Sequence, residues 1–203
     1  MRPTRRLAGA LLAQGEVVFA IDYPLVGRGT TVFDQVASVE RALYAAAARA
    51  ARAGVRHPRG VLVGTSAGAT LAMLAAPRDR EHVARVVACF GLYDFLDLPL
   101  AAPAALAFRR YVLGDPSPSS ARLASPLHAP PPSDVVLLHG AHDRLVPVVQ
   151  HDRMEAALRA AGGRVSGHVF PGAPHAFFNE GTRPPCAEAL ARVGAAVAEV
   201  HPG

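Results

Sequence analysis

Short apolar runs alternate with amphipathic stretches along the whole chain, and the two patterns have different periods. Residues 17–21, 59–63, 83–90, 135–138 and 164–170 are of strand length. Most are apolar almost throughout, as expected where both faces of a strand are buried. Between them lie helical patterns. Residues 4–14 read as a helix ending at Gly15. The next begins at Thr31, an N-cap residue with Asp34 three positions on; it carries Val32, Val36, Val39 and Leu43 on one face and ends near Gly54. Residues 69–76 form a third, and Pro147 suits the first turn of a fourth that closes at Gly162-Gly163. Residues 187–200, with Leu190, Val193, Val197 and Val200 on one stripe, form the last. Strand and helix alternating in this way predict an α/β fold with a mostly parallel sheet flanked by helices.

One stretch breaks the rhythm. Residues 95–132 are rich in Pro, Ala and Ser, with an amphipathic patch at 106–113. They read as an excursion that either covers a site as a small cap or simply connects two strands at the surface. Neither an internal repeat nor a dividing linker is present, so residues 1–203 are expected to form one domain.

Composition narrows the function. An apolar share of 51% suits a buried core. The formal charge is +5, but all 21 basic residues are arginine, scattered among acids, and aromatics make up only 6%. A nucleic-acid groove needs clustered basic residues with stacking aromatics, so nucleic acid is not an expected partner. Cys89 and Cys186 fit no metal or redox spacing, and no disulfide framework is expected. The start, with Arg2, Arg5 and Arg6 before Leu7 to Ala13, imitates a signal peptide but runs through Gln14-Gly15-Glu16 into a strand pattern. A helix packed on a sheet is the preferred reading. No run is long enough to span a membrane, and a cytoplasmic location is expected.

The chemistry centres on Gly64-Thr65-Ser66-Ala67-Gly68, between a strand and a helix. In G-x-S-x-G the small residues permit a turn sharp enough to expose the serine hydroxyl, although alone the motif fits a tight packing turn equally well. A serine needs a base to take its proton, and the base is usually a histidine oriented by a carboxylate. Asp143 follows the strand ending in Leu138-His139-Gly140, and His175 follows the strand ending in Val169-Phe170. Ser66, Asp143 and His175 thus lie in chain order beyond three strand ends, where open α/β sheets carry their working groups. Asp94 is a rival acid. His139 and His142 are too near Asp143 in sequence to be natural bases, and His168 falls within a strand. A metal site built from His139, His142, Asp143 and His151 fits no compact ligand spacing, so no metal is expected. A phosphate-binding loop at Gly64 to Gly68 is excluded because the chain has no lysine.

With these residues in place the chain resembles the α/β-hydrolase superfamily, and more closely the esterases of the hormone-sensitive-lipase and feruloyl-esterase-like branch. The matching stretches are Val17-Val18-Phe19-Ala20-Ile21-Asp22-Tyr23-Pro24, the Ser66 pentapeptide, the His139 to Pro147 loop, and Phe170-Pro171-Gly172-Ala173-Pro174-His175-Ala176-Phe177. The resemblance implies Ser66 as nucleophile, Asp143 as acid, His175 as base, a small carboxylic ester as substrate and no cofactor. His175-Ala176-Phe177-Phe178-Asn179 also looks like dienelactone hydrolases, which use cysteine where this chain has Ser66. Prolyl-oligopeptidase-like peptidases share similar serine and aspartate loops.

Such esterases carry a His-Gly-Gly loop whose N–H groups join that of the residue after the nucleophile, here Ala67, in the oxyanion hole. This sequence has no such loop. The resemblance therefore implies an N-terminally truncated fold, with a strand missing between the one at Val17 and the one at Val61. A start codon placed too late is the preferred explanation, ahead of a decayed fragment or a sheet closed over the gap. A non-catalytic remnant is the alternative to a serine esterase. Nothing in the sequence sets the oligomeric state.

Overall fold

The structure, a computed structural model, describes residues 3–56, 59–179 and 184–200. Met1 and Arg2, part of the signal-like start, lie outside them. The elements in chain order are α1 (Pro3–Leu12), α2 (Val32–Arg52), β1 (Gly60–Thr65), α3 (Ala67–Ala75), β2 (Val83–Cys89), α4 (Ala102–Leu113), α5 (Pro118–Ala124), β3 (Asp134–Gly140), α6 (Val149–Ala160), β4 (Arg164–Phe170) and α7 (Pro184–Ala198). The four strands form one parallel sheet in the order β1-β2-β3-β4.

Successive side chains of a strand point to opposite faces, and the core divides accordingly. Val87, Cys89 and Leu138 point to the face covered by α1 and α7, where they pack with Leu7, Leu11, Phe177, Val193 and Val197. Val86, Ala88, Val135 and Leu137 point to the other face and meet Ala72 and Met73 of α3 and Met154 and Leu158 of α6. A third cluster joins α2 to α3 through Val32, Val36, Val39, Leu71 and Leu74. At the start of α2 the Thr31 backbone N–H and hydroxyl both donate to Asp34 Oδ2 at 2.8 Å, which satisfies an N–H the helix itself leaves free. These bonds hold the exposed Asp34 carboxyl below its usual range.

Two expectations need correction or detail. Residues 17–21 form no strand; Val17 is 78% exposed and Phe19 39%. An apolar run becomes a strand only when a neighbour takes up its N–H and C=O groups, and among the described residues none pairs with this one. Among the described residues the sheet therefore ends at β1, and it has not closed over the expected gap. Residues 95–132 contain α4 and α5, whose Val112, Leu113, Ala121 and Ala124 join Val32, Val36 and Leu71 in the third cluster. Among the described residues no helix is long and apolar enough to cross a membrane.

Candidate active site

Ser66 sits at the crossing from β1 to α3 with φ 52° and ψ −121°, a left-handed conformation that a non-glycine residue adopts only when its surroundings enforce it. Its N–H donates to the Cys89 carbonyl at the end of β2, 2.9 Å away. The turn is tight enough that a Cβ on Gly64 would collide with the Gly68 carbonyl, so glycine is a steric requirement at position 64. Ala67 opens α3, and its N–H is one of the first-turn donors that the helix cannot satisfy internally.

Asp143 and His175 come from loops at the ends of β3 and β4, beyond the same edge of the sheet. Two backbone bonds lock these loops together: Ala141 N–H donates to Phe170 O at 3.0 Å and His142 N–H to Ala173 O at 2.9 Å. The approach is close; a Cβ on Gly140 would collide with the Ala173 carbonyl. The side chains then form a line. Ser66 Oγ lies 2.9 Å from His175 Nε2, and His175 Nδ1 lies 2.6 Å from Asp143 Oδ2.

The proton positions follow from the partners. Ionised Asp143 can only accept, so His175 Nδ1 carries a proton and Nε2 presents its lone pair to the Ser66 hydroxyl. The Asp143 side chain is fully buried, and a buried carboxylate is costly unless its oxygens are hydrogen-bonded. Oδ1 accepts the Leu145 N–H at 2.9 Å and the Val146 N–H at 2.8 Å, while Oδ2 accepts from His175. Phe90, buried at the end of β2, meets the His175 ring edge-on at 5.1 Å between centroids and limits its rotation. Phe90 and Ala176, beside His175, both have positive φ (44° and 55°), so among the described residues three of the four non-glycine residues of this kind lie at or against the site.

The other candidates stand outside that line of contacts. Asp94 accepts the Leu96 N–H and is 3.6 Å from His128 and 3.9 Å from Arg153. His142 is exposed, whereas His139 and His151 are buried with ring centroids 5.9 Å apart. Among the described residues no three His, Cys, Asp or Glu side chains gather into a group able to hold a metal ion. Cys89 and Cys186 are free and buried, and burial pushes the Cys89 thiol well above its ordinary pKa, so it is no thiolate nucleophile. Two supporting residues escape sequence reasoning. Phe90 looks like any strand-end apolar residue, and its contact with His175 appears only in three dimensions. Gln150 of α6 accepts the Tyr93 and Asp94 N–H groups, both at 2.9 Å, and so ties the loop after β2 to the helix after the Asp143 loop. No motif marks it.

Comparison with known proteins supplies a family and a fold. The profile described as "Dienelactone hydrolase family" matches residues 28–200. No curated protein sequence matches the chain. Among solved structures, an esterase of Pyrobaculum calidifontis is 22% identical with a TM-score of 0.81; the match covers 98% of this chain and 69% of that one. A truncated carbohydrate esterase from gut microbiota is 19% identical with a TM-score of 0.80, covering 96% and 77%. Esterase 2 of Thermogutta terrifontis, phosphonylated by sarin, is 22% identical with a TM-score of 0.69, covering 86% and 68%.

Proposed function

The chain belongs to the dienelactone hydrolase family and is a hydrolase of carboxylic esters; on that premise we propose that it works as a serine hydrolase, with Ser66 as nucleophile, His175 as base and Asp143 as the orienting acid. The observation that carries this reading is the unbroken line of contacts from Ser66 Oγ to His175 Nε2, at 2.9 Å, and from His175 Nδ1 to Asp143 Oδ2, at 2.6 Å.

In the first half-reaction His175 Nε2 takes the Ser66 proton as Oγ attacks the ester carbonyl. The carbonyl oxygen becomes an oxyanion facing the Ala67 N–H, and Asp143 stabilises the imidazolium without accepting its proton. The tetrahedral adduct collapses by breaking the C–O bond to the alcohol, which leaves with the proton from His175. Water then attacks the acyl-Ser66, losing its proton to the same nitrogen, and release of the acid restores the serine.

A serine at this position is the departure from the cysteine of dienelactone hydrolases, and the inert, buried Cys89 offers no substitute. The sarin-modified esterase 2 of Thermogutta terrifontis is a similar fold carrying a covalent organophosphorus adduct, which is in keeping with this chemistry. Ala67 is the oxyanion donor we name here. Each such donor is worth about a hundredfold to a thousandfold in kcat.

The test is hydrolysis of short-chain p-nitrophenyl esters by the purified chain and its Ser66→Ala variant. Turnover that disappears in the variant supports the proposal. Turnover that survives unchanged refutes the nucleophile.

A further inference from the structure

His139 is the penultimate residue of β3, on the same face as Val135 and Leu137, and its side chain is completely buried. A histidine in that place could be an ordinary core residue donating to whichever carbonyl lies nearest. Its acceptor makes it something more. His139 Nε2 donates to Val146 O at 2.8 Å, and the N–H of that same Val146 donates to Asp143 Oδ1 at 2.8 Å. The His139 Nε2 atom is also 3.4 Å from Asp143 Oδ2, the oxygen that receives the His175 Nδ1–H. The bonds close a ring from strand to loop to carboxylate and back to the strand.

The proton arrangement is determined. A carbonyl only accepts, so Nε2 carries the hydrogen, and Nδ1 has no hydrogen-bond partner among the described residues. The charged and titratable groups around the ring are Asp143 and His175 from the two loops and His151 and Asp152 from α6. Burial, helped by His175, keeps the imidazole below its ordinary pKa, against the pull of the Val146 carbonyl, Asp143 and Asp152. The neutral ring therefore brings an N–H to the carboxylate without a positive charge that would compete with His175 for it.

We propose that His139 is a positioning residue for the triad: its Nε2–H pins the Asp143 loop through Val146 so that Oδ2 faces His175. This role rests on the serine-hydrolase reading given above. Without the pin, Val146 O is a buried acceptor left unpaired, and the loop is free to rotate the carboxylate away from the line to Ser66.

The experiment compares His139→Leu, which fills the space without a donor, with His139→Gln, whose amide N–H reaches about where Nε2 lies. Three quantities are read: kcat and KM on p-nitrophenyl acetate across pH, thermal unfolding, and the low-field proton resonance of the Nδ1–H shared by His175 and Asp143. His139→Leu should lower kcat about tenfold to a hundredfold, as expected for losing a hydrogen bond in a charged network, with KM within about twofold. The low-field resonance should shift upfield or vanish. His139→Gln should recover kcat to within about threefold and restore the resonance.

A folded His139→Leu protein with kcat and resonance unchanged overturns the proposal. So does a folded His139→Gln protein as impaired as the leucine variant, because shape and not the donor would then matter. Should the leucine variant not fold, the glutamine variant alone decides; if neither folds, His139 is a core residue and the proposal fails. Absence of Ser66-dependent turnover in the wild type refutes the esterase reading instead, and the resonance still tests the His139 contact by itself.

Discussion

Replacing Asp143 by asparagine should abolish catalysis while leaving the fold nearly intact, and the hydrogen bonds say why. Oδ1 accepts from two backbone donors, Leu145 N–H and Val146 N–H. In Asp143→Asn these donors fix the amide oxygen in that place, which turns the amide NH2 toward His175. Two donors then meet where an acceptor and a donor stood 2.6 Å apart. His175 relieves the conflict by moving its proton from Nδ1 to Nε2, and the nitrogen facing Ser66 Oγ can no longer take the serine proton. Placing the imidazole in the wrong tautomer costs about ten-thousandfold in kcat, roughly 5 kcal/mol in the barrier. The stability cost is much smaller. The two loop bonds pass from charge-assisted to neutral, roughly 1 kcal/mol apiece, partly offset because an uncharged amide is cheaper to bury. Steady-state hydrolysis of p-nitrophenyl acetate at neutral pH measures the first effect and urea unfolding the second. A folded Asn variant that keeps more than about a tenth of wild-type kcat would refute the assigned role of Asp143.

Further expectations follow from the same contacts. Gly64→Ala places a methyl group on the Gly68 carbonyl, so circular dichroism melting should show a loss of about 1–3 kcal/mol or more, whereas an unshifted melt would contradict the geometry of the turn. His151 is buried and burial depresses its pKa below the usual 6.5, so the unfolded chain binds the proton more readily. Its contribution to stability is present above pH about 6.5 and is lost as the pH falls from there toward the depressed folded value. A melting-temperature profile from pH 8 to pH 5 should therefore fall less steeply in His151→Gln than in wild type, and an unchanged slope would contradict the sign. Phe90→Ala removes a fully buried ring and should cost about 3–5 kcal/mol in denaturant unfolding, together with a lower kcat because His175 loses its edge-on neighbour.

Most of the fold can be read from the sequence because buried parallel strands and amphipathic helices leave opposite periodicities. The elbow was legible because few residues permit its geometry: a Cβ at position 64 has nowhere to go. Chain order singles out Asp143 and His175 as candidates, and in the structure His175 Nε2 lies 2.9 Å from Ser66 Oγ while Asp143 Oδ2 lies 2.6 Å from His175 Nδ1. Residues 17–21 show the limit of pattern reading. Their apolar run reports what a strand would bury, but nothing in it reports whether a neighbouring strand is there to pair with. The helix at Pro118–Ala124 is hidden in the sequence because Pro116, Pro118 and the serines have the composition of a loop. Yet Pro118 stands in the first turn, where its missing N–H costs nothing, and Ser117 caps the helix by accepting the Ser120 N–H. His139 is too close to Asp143 in sequence to suit the role of base. The parity of β3 does place it on the buried face with Val135 and Leu137, but the ring it completes through Val146 depends on how the loop folds back.

The most direct test of the account is covalent. A fluorophosphonate probe reacts with a serine only when a neighbouring base draws off its proton, so it reports the working state of Ser66 without requiring turnover of any particular ester. Intact-mass analysis followed by peptide mapping should find a single phosphonyl group on Ser66 of the folded chain, none after heat denaturation and none in Ser66→Ala. A folded wild-type chain that stays unlabelled, or a label on another residue that persists in Ser66→Ala, would contradict the claim that Ser66, His175 and Asp143 form a functioning triad.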